Sequence, residues 1–228
     1  MRMKPGPDPN FPYLEANIDF HFPDQSQWKD DIISIGGNLS PGMLLSAYEQ
    51  GIFPWYNHAD PIIWQSPDPR CVIFPEKLHV SASMKKVFKK NIFKITFDAD
   101  FYGVIKGCAE KIRPGQNGTW ITTDIIDAYM ELYRLGWAHS AEAWQDGELA
   151  GGCYGVLMRR VFCGESMFAL KPNASKAAFL NMAKTMFEHG VAFIDCQVPN
   201  PYLMSLGGEE MPRDIFLELL KKFPAKRC

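Results

Sequence analysis

The stretch WAHSAEAWQDGELAGGCYGVLMRRVFCGESMFAL, residues 137–170, decides the fold class. Asp146-Gly147 inside QDGE has the composition of a two-residue hairpin turn, and MRR predicts a second turn thirteen residues further on. Between these turns the residues favour strands, so the stretch predicts three antiparallel strands in succession.

Helical patterns flank them. SMKKVFKKN predicts a helix over residues 83–91, followed by a strand over 93–97 and a helix over 101–111. Thr122 or Thr123 caps an amphipathic helix that Gly136 ends, Asn173 caps one over 174–189 that Gly190 ends, and MPRDIFLELLKKF closes the sequence as a helix. FIDCQV, residues 193–198, is a short strand before a PNP turn. The order is α+β: a mostly antiparallel sheet flanked by helices.

Upstream the texture differs. Residues 1–75 are rich in Pro, Gly and aromatics, with one clear helix in SPGMLLSAYEQG, where Ser40 is the expected cap, Pro41 the first turn and Gly51 the stop. Four prolines between residues 52 and 70 forbid long elements there. The expected division is a small irregular N-terminal lobe, residues 1–75, and a larger domain, residues 76–228.

Composition excludes several classes. At 228 residues, 46% apolar and a formal charge of −2, the chain has a soluble globular composition without the net basicity of a general nucleic-acid binder. No apolar run reaches the ~18–20 residues of a membrane span, and the opening residues lack a signal-peptide core. The six cysteines form no CxxC pair, so reduced thiols, no metal and a cytoplasmic location are expected. Walker A and dinucleotide glycine motifs are absent.

Four features are candidates for function. On the FIDCQV strand, alternation puts Asp195 and Gln197 on one face, where unpaired burial of a polar group costs about 1–3 kcal/mol. Either backbone or water satisfies them, or they serve a site. Glu165 lies among Val161, Phe162, Cys163, Met167 and Phe168, and pairs either with an arginine such as Arg113 or Arg213 or with a cationic ligand. Ser166 in GESMF lacks the final glycine of a nucleophile elbow, and Cys163 and Cys196 have no basic neighbour, so none of the three is read as a nucleophile. Aromatics gather in loops (Trp55, Tyr56, Trp64, Trp120, Tyr129, Tyr154). Among them Trp55 and Trp120, set among Pro, Gly and Thr, suit base stacking. Lys85, Lys86, Lys89 and Lys90 share one helix face, either solvated or contacting phosphates.

The segments ISIGGNLSPGMLLSAYEQGIFPWY, SPDPR, GTWIT, GGCYGVLMRRVFCGESMF, NASKAA, IDCQ and SLGG, in this order, resemble the bacterial leucyl/phenylalanyl-tRNA–protein transferases over most of the chain. The resemblance implies transfer of a leucyl or phenylalanyl group from tRNA to the α-amine of a protein beginning with Arg or Lys, making an N-degron for proteolysis. It implies no cofactor and no metal, a monomer in the cytoplasm, and an N-acyltransferase (GNAT-like) domain behind a smaller one. Asp195 and Gln197 match the family's D-x-Q catalytic pair, with Gln197 touching the amine and ester and Asp195 orienting or polarising it. Glu165 would meet the acceptor's cationic head. Trp55 and Trp120 would hold the terminal adenosine, with Tyr48 and Tyr129 in support, and Cys153, Phe162, Met167, Phe179 and Met182 would form the side-chain pocket. Three positions depart from the family: Tyr202 stands where His is frequent, Gln65 where an aromatic is usual, and KIRPGQNG is long. The pyrophosphate loop of acyl-CoA transferases is missing, which weighs against a CoA donor. A non-catalytic RNA-binding module is the other competitor.

Overall fold

A computed structural model describes residues 4–111 and 119–223. The proline-rich opening yields only short elements: β1 (Ile32–Ile35), α1 (Pro41–Glu49), β2 (Phe53–Pro54) and β3 (Ile63–Gln65). They form a three-stranded antiparallel sheet in the order β1-β3-β2, packed around α1, which is buried from Pro41 to Tyr48. Ser40 does not cap α1; its hydroxyl instead donates to Asn38 Oδ1 at 2.6 Å. Gly51 stops the helix at φ +74, and a side chain there would collide with Leu217 and Phe216, so both conformation and close approach demand glycine.

The remaining elements are β4 (Arg70–Ile73), α2 (Ala82–Lys89), β5 (Lys94–Phe97), α3 (Phe101–Glu110), α4 (Thr123–Arg134), β6 (Ala138–Gln145), β7 (Glu148–Met158), β8 (Val161–Ala169), α5 (Ala174–Glu188), β9 (Phe193–Gln197), α6 (Pro201–Ser205), β10 (Glu209–Met211) and α7 (Arg213–Leu220). Both expected hairpins are present. Asp146 and Gly147, at φ 54° and 83°, turn β6 into β7, and Arg159 at φ 55° turns β7 into β8. Ser81, Asp100 and Thr122 accept backbone N–H bonds as caps of α2, α3 and α4. Asn173 does not cap α5: at φ 71° it lies in the left-handed region rather than the extended conformation a capping side chain needs.

The large sheet runs β10-β4-β9-β8-β7-β6-β5, antiparallel except between β8 and β9. β4 joins it before residue 76, pairing with β9 and β10. The sheet is buried on both faces. Tyr154, Cys163 and Phe193 point into a core with α1, α3, α4 and α7, while Cys153, Phe162 and Ile194 point into a second core with α2 and α5.

The parallel pair creates the gap that matters. β8 and β9 stay in register for Val161↔Phe193, Phe162↔Ile194 and Cys163↔Asp195. Beyond that point β8 continues along β7 to Ala169, whereas β9 stays with β4, its partner from Ile194 on, to Cys71↔Gln197. The two strands diverge with unpaired edges facing each other.

Candidate active site

A cavity of about 450 Å³ occupies that divergence. β8 supplies Gly164, Glu165, Ser166 and Met167; β9 and the residues after it supply Cys196, Gln197, Val198 and Asn200. Trp55 and Trp120 line the same space, as do Cys153, Phe162 and Phe179. The sequence-selected residues thus converge from the segment after β2, from the large sheet and from α5.

Three other expected residues stand behind the wall. Met182 receives the Cys153 thiol at 3.9 Å on the far side of the lining, in the α5 core. Tyr48 and Tyr129 are 2% and 0% exposed, enclosed by the core, where no adenosine reaches. Their hydroxyls lie against each other and both reach Glu165: Tyr48 Oη donates to Oε1 at 2.8 Å and Tyr129 Oη to Oε2 at 3.1 Å. Their role is to hold a carboxylate.

Gln197 completes this cradle, donating Nε2–H to Glu165 Oε1 at 2.8 Å. Three neutral donors therefore face one carboxylate, and no arginine reaches it among the described residues. Arg213, one partner considered from sequence, instead bonds the Asp30 and Ser66 carbonyls and lies 3.7 Å from Asp31. Arg113, the other, lies outside the described residues, as does the rest of segment 112–118 within KIRPGQNG. Glu165 is half-buried and lines the cavity, and desolvation by the surrounding protein pushes its pKa up to about 7. The hydrogen bonds from Tyr48, Tyr129 and Gln197 pull the other way, and Asp195 adds to the rise. Burial also raises both tyrosine phenols, which stay neutral donors.

Asp195 is placed differently from the sequence expectation. It is 1% exposed, does not line the cavity, and forms a fork with Arg70: Nε to Oδ1 at 2.8 Å and an NH2 nitrogen to Oδ2 at 2.6 Å. Oδ1 also accepts the backbone N–H of Gln197 at 2.9 Å. Gln197 takes φ 64°, so the strand's alternation ends there, and Cys196, Gln197 and Val198 all reach the cavity in succession. The two side chains do not project together: one enters the site and the other lies beneath it.

The remaining candidates sort by chemistry. Burial raises the Cys163 thiol, and a hydrogen bond to Cys71, then burial, raises Cys196, so neither is a ready thiolate. Ser166 lines the cavity without any histidine among the lining residues. Trp64 is fully buried with its indole N–H on the Gly36 carbonyl at 2.8 Å and offers no platform. Lys85, Lys86, Lys89 and Lys90 are all exposed, while Met84 and Val87 anchor α2. Among the described residues no group of three or more His, Cys, Asp or Glu could hold a metal ion, and no helix is long and apolar enough to cross a membrane.

The family model "Leucyl/phenylalanyl-tRNA protein transferase" matches residues 72–221, and the model of its N-terminal domain matches residues 37–68. The chain belongs to the leucyl/phenylalanyl-tRNA protein transferase family. A leucyl/phenylalanyl-tRNA–protein transferase of Saccharophagus degradans is 52% identical over 84% of this chain and 78% of its own. One of Desulfatibacillum aliphaticivorans is 48% identical over 90% of each. Among solved structures, L-PGS from Bacillus licheniformis shares a TM-score of 0.44 and 9% identity over 70% of this chain and 65% of that one, too remote to inform fold or activity. An aminoacyltransferase is consistent with a cavity lined both by apolar side chains (Cys153, Phe162, Met167, Phe179) and by the polar Glu165 and Gln197.

Sequence reading missed Arg70. Its signal was present in SPDPR, since an arginine entering a strand as apolar as RCVI must find a carboxylate partner if buried.

Proposed function

We infer that this protein moves a leucyl or phenylalanyl group from aminoacyl-tRNA to the α-amine of proteins that begin with Arg or Lys. What carries the reading is Glu165, a carboxylate on the cavity wall that neutral donors hold and no described cation neutralises. A guanidinium or ammonium at the acceptor's first residue supplies that missing charge.

The reaction needs one bond exchange. The α-amine, with pKa ~8, loses a proton and attacks the ester carbonyl. The C–N bond forms, the ester C–O bond breaks, and the tRNA ribose leaves as a hydroxyl. With one Nε2 hydrogen committed to Glu165, Gln197 presents its carboxamide oxygen to the amine's N–H. An amide is too weak a base to keep the proton, so water or the ribose takes it. No ATP, cofactor or metal is required, because position and charge compensation are the whole task. The donor's apolar side chain lies against Cys153, Phe162, Met167 and Phe179, and the terminal adenosine between Trp55 and Trp120. Divergence of parallel strands β8 and β9 around the site favours the GNAT-like description of the larger domain. In this reading the chain acts as a cytoplasmic monomer feeding an N-degron pathway.

The deciding experiment gives the purified protein radiolabelled leucyl-tRNA with peptides beginning with Arg or with Ala. Transfer to the first alone is expected, with isoleucyl-tRNA a poor donor because β-branching crowds the apolar wall; a pocket of this kind separates near-isosteres by about 1–3 kcal/mol. Equal transfer to both peptides removes the Glu165 assignment, and equal use of Ile removes the pocket. Acetyl transfer from acetyl-CoA would favour the competing enzyme class, and tRNA binding without any transfer would favour the non-catalytic one.

Lys85, Lys86, Lys89 and Lys90 serve as phosphate contacts for the tRNA body. Replacing all four by Gln is expected to weaken leucyl-tRNA binding and flatten its salt dependence, by up to about 0.7–0.9 in the log–log slope for each phosphate no longer neutralised, without changing kcat. An unchanged slope assigns that face to solvent.

A further inference from the structure

We propose that Arg70 is a positioning residue for group transfer, acting through Asp195 on the backbone of Gln197. The proposal rests on the transferase reading above and assigns Asp195 the same indirect role.

Asp195 has no free oxygen with which to meet a reactant. Oδ2 takes an Arg70 NH2 nitrogen, and Oδ1 takes both Arg70 Nε and the Gln197 N–H, at 2.6, 2.8 and 2.9 Å. None of these bonds reaches the Gln197 carboxamide, which bonds Glu165 instead. Asp195 therefore cannot polarise that amide directly. It fixes the peptide from which the amide projects.

That peptide needs fixing. Gln197 has φ 64°, a conformation in which a side chain is disfavoured and which persists only when its surroundings over-determine it. A charge-assisted bond from its N–H to Asp195 supplies the constraint. A relaxed φ would return residue 197 to strand alternation and swing its side chain away from Glu165.

Arg70 fixes Asp195 in turn, and from several directions. Its guanidinium lies 5.0 Å from the Phe53 ring and 4.5 Å from the Phe216 ring, and its third nitrogen donates to the Gly51 carbonyl at 3.1 Å. Gly51 and Phe53 belong to the smaller lobe, Phe216 to α7, and Phe53 also lines the cavity. One buried cation thus ties both lobes to the Gln197 backbone. Only the planar fork of arginine satisfies Asp195 and Gly51 together, and lysine offers a single point of contact.

The test separates positioning from stability. Arg70→Met or Asp195→Leu alone leaves a buried charge unpaired, whereas the double variant Arg70→Met/Asp195→Leu removes both charges and restores an apolar interior. The double variant is expected to regain the thermal midpoint lost in the singles, to keep KM for leucyl-tRNA, and to retain a kcat down about 100-fold, the scale of a misplaced reacting group. Recovery of kcat together with the midpoint overturns the proposal. Arg70→Lys gives an independent reading at milder cost: a lower kcat, unchanged donor KM and faster hydrogen exchange at the Gln197 amide are expected. Wild-type kcat and exchange in Arg70→Lys likewise overturn it. Wild-type protein that transfers no leucine would instead defeat the transferase reading itself.

Discussion

Glu165→Gln is expected to lower kcat/KM for an Arg-initiated acceptor by roughly 30- to several-thousand-fold, with KM for leucyl-tRNA unchanged. Removing one partner of a buried, hydrogen-bonded charge pair costs about 2–5 kcal/mol, and each 1.4 kcal/mol is tenfold. Glutamine has nearly the same volume and keeps one oxygen for Tyr48 and Gln197, while its NH2 can donate to Tyr129 Oη, which then turns its own proton to Tyr48, so the loss reports charge rather than collapse. The pH dependence should carry the same signature. Glu165 faces Tyr48 from α1, Tyr129 from α4, and Cys163, Asp195 and Gln197 from β8 and β9, and in the free protein its pKa is about 7. Below that value the carboxyl is protonated and cannot attract a guanidinium, so acceptor kcat/KM should rise as pH passes 7. In the variant this limb should vanish, leaving the later rise from the amine near pH 8. Stability should move the opposite way. A carboxyl whose pKa is raised by folding binds more protons in the folded state, so wild-type stability falls as pH rises from about 4.5 to 7. Glu165→Gln should therefore melt higher than wild type at pH 8, with the difference fading below pH 4.5. Equal losses for donor and acceptor, or a variant that melts lower at pH 8, would remove Glu165 as the acceptor's counter-charge.

This trade of stability for function explains which parts of the molecule were legible beforehand. Hairpins, caps and stops follow from rules spanning two to four residues, so Asp146-Gly147, Thr122 and Gly136 could be read directly. Asn173 and Ser40 show the limit even there, because a capping residue type says nothing of the backbone conformation it adopts or of a nearer partner such as Asn38. The oddity of a carboxylate on FIDCQV was visible, but its explanation lay 125 residues away in Arg70. Alternation along a strand placed Asp195 and Gln197 on one face, and it failed at the φ 64° residue that lets Gln197 enter the site. Tyr48 looked like an aromatic near a nucleobase. Only the fold, which brings it across 117 residues to Glu165, reveals it as a hydrogen-bond donor. Local rules delivered the scaffold, while the site depends on long-range pairings that sequence spacing does not encode.

Trp55→Ala and Trp120→Ala should each raise KM for leucyl-tRNA by about 5- to 150-fold, since base stacking on an aromatic ring contributes about 1–3 kcal/mol. The two tryptophans differ from Tyr56, Trp64, Tyr129 and Tyr154 in being accessible: Trp55 is 38% exposed, Trp120 is half-buried, and both line the cavity that Glu165 and Gln197 share. Trp55 is also held rigidly. Its backbone N–H donates to the Ile63 carbonyl at 2.9 Å, and its own carbonyl accepts Gln65 Nε2–H at 2.8 Å. Gln65 thus anchors the backbone beneath the ring. A platform fixed before the donor arrives loses little entropy on binding, so the stacking energy appears in KM rather than being spent on ordering. The decisive control is a donor truncated to an aminoacyl ester without the adenine. Wild type should use it as poorly as the tryptophan variants use the full donor, and the variants should lose little further. Acceptor KM should stay constant throughout, because in this reading the acceptor's cation is held by Glu165 and by neither ring. If the variants discriminate between full and truncated donors as strongly as wild type, the adenosine binds elsewhere and these rings only shape the cavity.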